Sequence, residues 1–228
     1  VFNKYPRITY LGLYKNEEEK QNIKIVKKNG IKIAFVSFNQ YVNGVTYQEK
    51  LPYMINFHES TMMENMKKAR ENADIVIVSC HWGIEYDYYP NIFQKNMAKQ
   101  LADAGADVII GTHTHTLQDV EYIQRADGKR TLVAYSLGNF VSGMLEESCQ
   151  LEGMLSFDIE KKKIKNVVFT PLVNYYTLTG KRERHDFSVY RLKDYTNKLV
   201  EKHGFPNLTI PYMKEEVKQK VKNIKIDM

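Results

Sequence analysis

Of the 228 residues only two are cysteine, Cys80 and Cys149, and one is tryptophan. The cysteines have neither metal-site nor redox-motif spacing, so no zinc ribbon or thioredoxin-like motif is written in them, and whether they pair stays open. No apolar run reaches 18 residues, so no membrane segment is read within this chain. RNA-binding aromatic motifs and zinc-finger spacings are missing, which leaves nucleic acid without support as a partner. There is no internal repeat and no low-complexity segment. The opening VFNKYPRITY carries neither an initiator Met nor a signal peptide and reads as a chain cut from a longer one.

What is present suffices for a sizeable core: 43% of residues are hydrophobic and 12% aromatic, enough for one domain with a tail. The net charge of +6, with a lysine run at 161–163 and a lysine-rich end, permits an anionic partner without demanding one. IKIVKKNGIKIAFVSF, at 23–38, sets two β-rich runs around Asn29-Gly30 and predicts a hairpin. After the loop QYVNGV, Met62, Met63, Met66 and Ala69 recur at helical spacing between Glu59 and Asn72, and DIVIVSC at 74–80 is an apolar strand. PNIFQKNMAKQLADAGA predicts a helix starting at Pro90 and ending at Gly105, followed by the strand DVIIG at 107–111. Strand, helix, strand with short links predicts a βαβ unit whose strands are parallel. Further on, the pattern predicts antiparallel pairs, one around Asp127-Gly128 and one around the lysine run, then helices at 193–203 and 212–223. The expected organisation is an α/β domain over 1–192 and a helical extension over 193–228 packing on it.

Both strands of the βαβ unit run into histidine, the first into His81 and the second, through Gly111 and Thr112, into His113. Ligands of open α/β sheets sit beyond the carboxyl ends of the strands, so these imidazoles are expected on one edge, with His115 beside them. Gly111 is read as permitting a sharp exit from its strand. Three converging neutral imidazoles are what a transition ion such as Zn, Mn or Fe uses; the alternative for each is a loop histidine bonded to backbone. Trp82 and Glu85 follow in HWGIEY, and Glu85 is read as a ligand, an orienter of an imidazole, a general acid or base, or a solvated surface group. Asp87 is a weaker candidate, and Tyr86, Tyr88 and Tyr89 read as groove wall or core. SLGNF at 136–140 suits a tight turn in which Asn139 holds a histidine or the loop itself. Ser136 is not read as a nucleophile, because the G-x-S-x-G frame is missing. KRERH at 181–185 reads as a solvated loop, with contact to an anionic polymer as the alternative.

HWGIEY, LADAGADVIIGTHTH and LVAYSLGNF, in that order and spacing, resemble the bacterial capsule synthesis family typified by poly-γ-glutamate capsule proteins, a family similar to the calcineurin-like metallophosphoesterases. The resemblance runs from about Ile31 to Tyr195. It implies a four-layer α-β-β-α sandwich with a dinuclear metal site at the strand ends and a phosphoesterase-like hydrolase activity on a phosphoester or anionic polymer. It also implies work in capsule biosynthesis or export at the cell envelope or extracellular face, with an anchor upstream and capsule synthesis complex proteins as partners. The alternative within the same setting is a non-catalytic polymer-binding or assembly component. His81 matches the histidine that closes the family's metal site, and Gly111, His113 and His115 match its G-x-H-x-H element; Glu85, outside that match, is expected as the carboxylate helper of an ion held by this chain. Family members also carry a strand ending in Gly-Asp and an Asn-Asn-His-x-x-Asp block, and neither occurs in this sequence. The expectation is therefore the later two thirds of a family member, incomplete at the N-terminus. It should bind at most one divalent ion where the intact protein binds two, and hydrolyse an aryl phosphate negligibly.

Overall fold

Asn29 and Gly30 both take left-handed backbone, φ 50° and 77°, and close the predicted hairpin with the kind of two-residue turn whose twist matches its strands. β1 (Lys24–Lys28) and β2 (Ile31–Asn39) pair antiparallel across it. The computed structural model describes residues 4–5, 7–12, 14–40, 59–180 and 182–228; all of the QYVNGV loop beyond Gln40 lies outside them. A short helix α1 (Glu17–Gln21) precedes the hairpin. The predicted helix α2 (Glu59–Asn72) and strand β3 (Ile75–His81) come next, then α3 (Ile92–Asp103) and β4 (Val108–Thr112). β3 and β4 are parallel neighbours as expected, in a register that sets His81 opposite Thr112, while Asn39 of β2 lies on the other side of His81. Three carboxyl ends thus share one sheet edge.

Helix α3 does not begin at Pro90. Its cap is Asn91, whose side chain accepts the Gln94 amide while the Gln94 side chain accepts the Asn91 amide, so the first turn's donors are satisfied reciprocally. β5 (Val120–Gln124) and β6 (Arg130–Ala134) form the expected antiparallel pair. The expectation of a purely antiparallel second half nevertheless fails, because β6 also pairs parallel with β4, giving the order β1-β2-β3-β4-β6-β5. The loop leaving β4 overshoots the neighbouring position, so β5 lands at the sheet edge and β6 folds back into the gap.

A second sheet is built on β7 (Leu151–Glu160) and the long β8 (Lys163–Thr179). The polar KRERH segment is not a solvated loop throughout: Glu183–His185 lie in β9 (Glu183–Arg191), antiparallel to β8. Its residues are mostly exposed, so no apolar alternation marked it as a strand. The two late helices are shorter than expected, α4 (Asn197–Lys202) capped by Thr196 and α5 (Ile210–Lys220) capped by Thr209. β10 (Lys225–Ile226) pairs parallel with Val168 and Phe169 of β8.

The result is a mixed α/β fold with two sheets and two cores. On one face of the six-stranded sheet, Val76, Val78 and Cys80 pack against Met66 of α2 and Leu101 of α3. On the other face, Val120 and Ala134 meet Phe169 and Val173 of the second sheet, together with Met213 and Val217 of α5. The segment 193–228 therefore supplies part of the second core. Each large apolar side chain so buried contributes about 1.5–3 kcal/mol. At the amino ends of β3 and β4, Asp107 accepts hydrogen bonds from Arg70 (2.9 Å) and the Val76 amide (2.8 Å) and pairs with Arg125 at 3.4 Å.

Candidate metal centre at the carboxyl edge

The apolar run of β4 ends at Gly111, and the chain beyond it must turn sharply to bring imidazoles to the edge. His113 and His115 take φ of 101° and 63°, conformations costly for residues with a Cβ. Gly111 does not have positive φ, so the sharp-exit reading is corrected. It is needed for close approach: a Cβ there would lie 1.9 Å from the Tyr135 carbonyl oxygen and 2.4 Å from Trp82 Nε1. Trp82 is fully buried and donates to that same carbonyl at 2.8 Å, locking β3, β4 and the end of β6 together directly below the edge.

The structure brings the three histidines together. The His81 and His113 rings are 4.5 Å apart and those of His113 and His115 6.3 Å apart. Asn139 holds His115 twice, with Oδ1 at 2.8 Å from Nδ1 and Nδ2 donating to the His115 carbonyl at 3.3 Å. The second bond fixes the amide's orientation, so Oδ1 must accept from Nδ1–H and the lone pair of His115 resides on Nε2. That Nε2 faces Glu85 Oε1 at 3.8 Å. Thr112 donates its hydroxyl proton to the Cys80 carbonyl, which leaves an oxygen lone pair for His81 Nδ1 at 3.4 Å and again points to Nε2 as the free donor atom. Burial lowers the pKa of His81, reinforced by the neighbouring His113 and His115 and opposed by Glu85. Burial likewise lowers that of His113, with Glu85 opposing and His115 assisting. Two of the three rings are thus held neutral near pH 7, the form in which imidazole ligates.

By residue type three imidazoles are a donor set for a transition ion, and His81 and His115 have their Nδ1 held by a hydroxyl or an amide. The carboxylate complement is thin. Glu85 is half-exposed, and among the described residues no three His, Cys, Asp or Glu side chains, these histidines included, are grouped closely enough to hold an ion as they stand. Asp87 contributes its backbone instead: its carbonyl accepts from Thr116 at 2.6 Å and from Gln118 at 3.0 Å. Tyr86 is exposed with its ring 6.2 Å from His115, and Tyr88 and Tyr89 flank the Lys220 ammonium, 5.4 and 4.5 Å from their centroids. Ser136 is fully buried and accepts the Gly138 amide, a turn role and not a nucleophile's. Cys80 and Cys149 are free and buried.

Several residues that set this edge escaped the sequence reading. Gln94 and Gln118, both fully buried, bond to each other at 2.8 Å beneath the HWGIEY loop, and Gln40 accepts the Gly83 amide at 3.0 Å. A side chain on Gly83, at φ 95°, would strike Gln94 and Thr114 at 2.8 Å. The signal was available only for Gln94, as the N3 partner of a capping box.

Comparison with known proteins gives residues 2–144 as a match to the family described as bacterial capsule synthesis protein PGA_cap. The chain is similar to the capsule biosynthesis protein CapA of Bacillus anthracis, 34% identical over 139 residues, covering 59% of this chain and 33% of that protein. It is similar also to the PGA biosynthesis protein CapA of Bacillus subtilis strain 168, 31% identical over 160 residues, covering 70% and 41% respectively. The chain therefore spans about two fifths or less of the length of these curated relatives. Among solved structures, the NAD nucleotidase NadN of Haemophilus influenzae aligns at 13% identity over 90% of this chain and 38% of its own, with a TM-score of 0.39. A hypothetical protein from Thermus thermophilus aligns at 14% identity over 74% and 60%, with a TM-score of 0.32. Neither structural likeness is strong enough to carry an argument.

Proposed function

Since this chain belongs to the bacterial capsule synthesis protein family, we propose that the intact protein carries a metal-dependent, phosphoesterase-like hydrolase site used in making or exporting a poly-γ-glutamate type capsule. This chain supplies the histidine half of that site. The observation carrying the reading is the meeting of His81, His113 and His115 at one sheet edge, with Asn139 leaving Nε2 of His115 open. His81, His113 and His115 would hold the ion, and the missing negative charge comes from carboxylates outside this set. A bound Mn, Zn or Fe ion supplies Lewis-acid polarisation of the scissile group and an activated water. Asn139 keeps the His115 tautomer, Trp82 and Gly111 keep the edge rigid, and Glu85 is placed to take or return a proton. The finer architecture belongs to the same reading: a four-layer α-β-β-α sandwich, supported by helices on one face of the six-stranded sheet and a second sheet on the other. So does a place at the cell envelope, which fractionation of the native protein tests; a purely cytosolic pool would count against it.

Elemental analysis after dialysis decides the site. The full-length protein should retain two ions and hydrolyse an aryl phosphate, and His113→Ala should release at least one ion. The 228-residue chain alone should hold at most one. Two tightly held ions in that chain would refute the half-site, and unchanged metal content in His113→Ala would refute the ligand assignment. A second reading, a non-catalytic polymer-binding or assembly component, is favoured because among the described residues no three His, Cys, Asp or Glu side chains are grouped closely enough to hold an ion.

A further inference from the structure

The pole opposite the histidines holds a cleft of about 640 Å³, bounded by the amino ends of the six-stranded sheet and the β7–β8 turn. Its floor is the Asp107 cluster, where Arg70 and Arg125 are already engaged. Arg125 is only 7% exposed and lines the cleft, yet its Nε–H has no acceptor among the described residues. Asp74, the other lining carboxylate, takes Lys162 at 2.8 Å. Lys161, Lys163 and Arg130 also line the space, and among the described residues no carboxylate lies within ion-pair distance of them. Arg130 rests over the Tyr122 ring at 4.7 Å, which holds its guanidinium in place without neutralising it.

The turn itself is unusual. Lys161 and Lys162 both take left-handed backbone, φ 48° and 61°, in a position that Asn-Gly would fill at lower cost. The turn geometry does not call for lysine there; Lys162 pairs with Asp74, whereas Lys161 gives the rim a positive charge with no carboxylate partner among the described residues.

We propose that this cleft binds a linear polycarboxylate, a segment of the poly-γ-glutamate chain itself. The inference rests on the capsule reading for the identity of the polymer. The chemistry of the cleft argues for that class. Two of the three forked arginines, Arg70 and Arg125, are engaged by Asp107, and the cations left over, Lys161, Lys163 and Arg130, are spread around a space large enough for several monomer units. Dispersed single charges match a chain whose negative charges are single and spaced.

The test is fluorescence anisotropy of a labelled poly-γ-glutamate oligomer titrated with the full-length protein at low ionic strength. The pair Lys161→Glu with Lys163→Glu should weaken binding about tenfold or more, and Arg130→Gln should weaken it in the same direction. The pair Lys198→Glu with Lys202→Glu, on α4 and outside the cleft, changes net charge equally and should have little effect. The milder Lys161→Gln with Lys163→Gln guards against misfolding, checked by circular dichroism. With an oligomer too short to reach the histidines from the cleft, His113→Ala should leave the affinity unchanged, which separates this proposal from the hydrolase reading: metal and hydrolysis can fail while cleft binding stands. Equal losses in the cleft and α4 pairs, no binding at all, or loss on His113→Ala would each overturn it. So would polyphosphate binding with the same lysine dependence where poly-γ-glutamate does not bind.

Discussion

At the scale of single residues, the most constrained position is Gly111. A methyl there would sit 1.9 Å from the Tyr135 carbonyl, so Gly111→Ala should cost about 2–4 kcal/mol by forcing β6 and Trp82 apart, read as a fall in thermal midpoint. Asn139→Ala should leave the fold intact and weaken metal binding about 10- to 100-fold in the full-length protein, because His115 loses the acceptor that fixes its tautomer. Isothermal titration with the ion checks this. Two buried groups give opposite pH signs. His203 is packed among Tyr175, Tyr176 and Tyr195, and burial pushes its pKa down to about 4, with the Asn174 backbone opposing. The unfolded chain takes that proton first, so stability is lost as pH falls from about 6.5 toward 4, at ~1.4 kcal/mol per unit at most. Glu152 is fully buried with neither oxygen partnered among the described residues, and burial raises it to about 8. Its stability contribution is complete below about 4.5 and is lost as pH climbs toward 8. In urea titrations, His203→Phe should flatten the acid limb and Glu152→Gln the alkaline one. A wild-type response in either variant would show that the group titrates as it does in the unfolded chain. The Asn139 role was legible in the SLGNF turn, whereas the environments of Gly111, Glu152 and His203 were not, since they are made by strands far along the chain.

At the scale of elements, legibility followed locality. The Asn29-Gly30 hairpin, α2 and the β3–α3–β4 unit depend on periods of two or 3.6 residues and on turn chemistry, and they stand where the pattern put them. The histidine edge was readable for the same reason, because strand ends in a βαβ unit must share a side. What escaped were pairings between distant segments: β6 inserted between β4 and β5, and the exposed β9 along β8. The β7–β8 turn yields an element-scale prediction. Replacing Lys161-Lys162 by Asn-Gly should raise stability by about 1 kcal/mol, because both positions already have left-handed backbone. An unchanged or lowered melting temperature would mean the lysines make stabilising contacts that outweigh the turn.

At the scale of the whole molecule, the sequence suggested a domain with a helical extension packing on it. The tail's Leu208, Met213, Val217 and Val221 are buried in the core shared by both sheets, and β10 pairs with β8. Removing residues 193–228 should therefore expose that core and abolish cooperative unfolding; a truncated chain that still melts in one sharp transition would contradict this. The basic cleft is a whole-molecule feature too, drawn from α2, the starts of β4 and β6, the β5–β6 turn and the lysine run. Between it and the histidines stands β3, whose seven residues at ~3.3 Å rise set the poles roughly 23 Å apart. The strand is thus a gauge of chain length. On the proposed reading of both sites, an oligomer shorter than that span would fill the cleft alone, whereas a longer one could present its far end to the imidazoles at high effective concentration, so turnover by the full-length protein should switch on at a threshold number of monomers instead of rising smoothly with it.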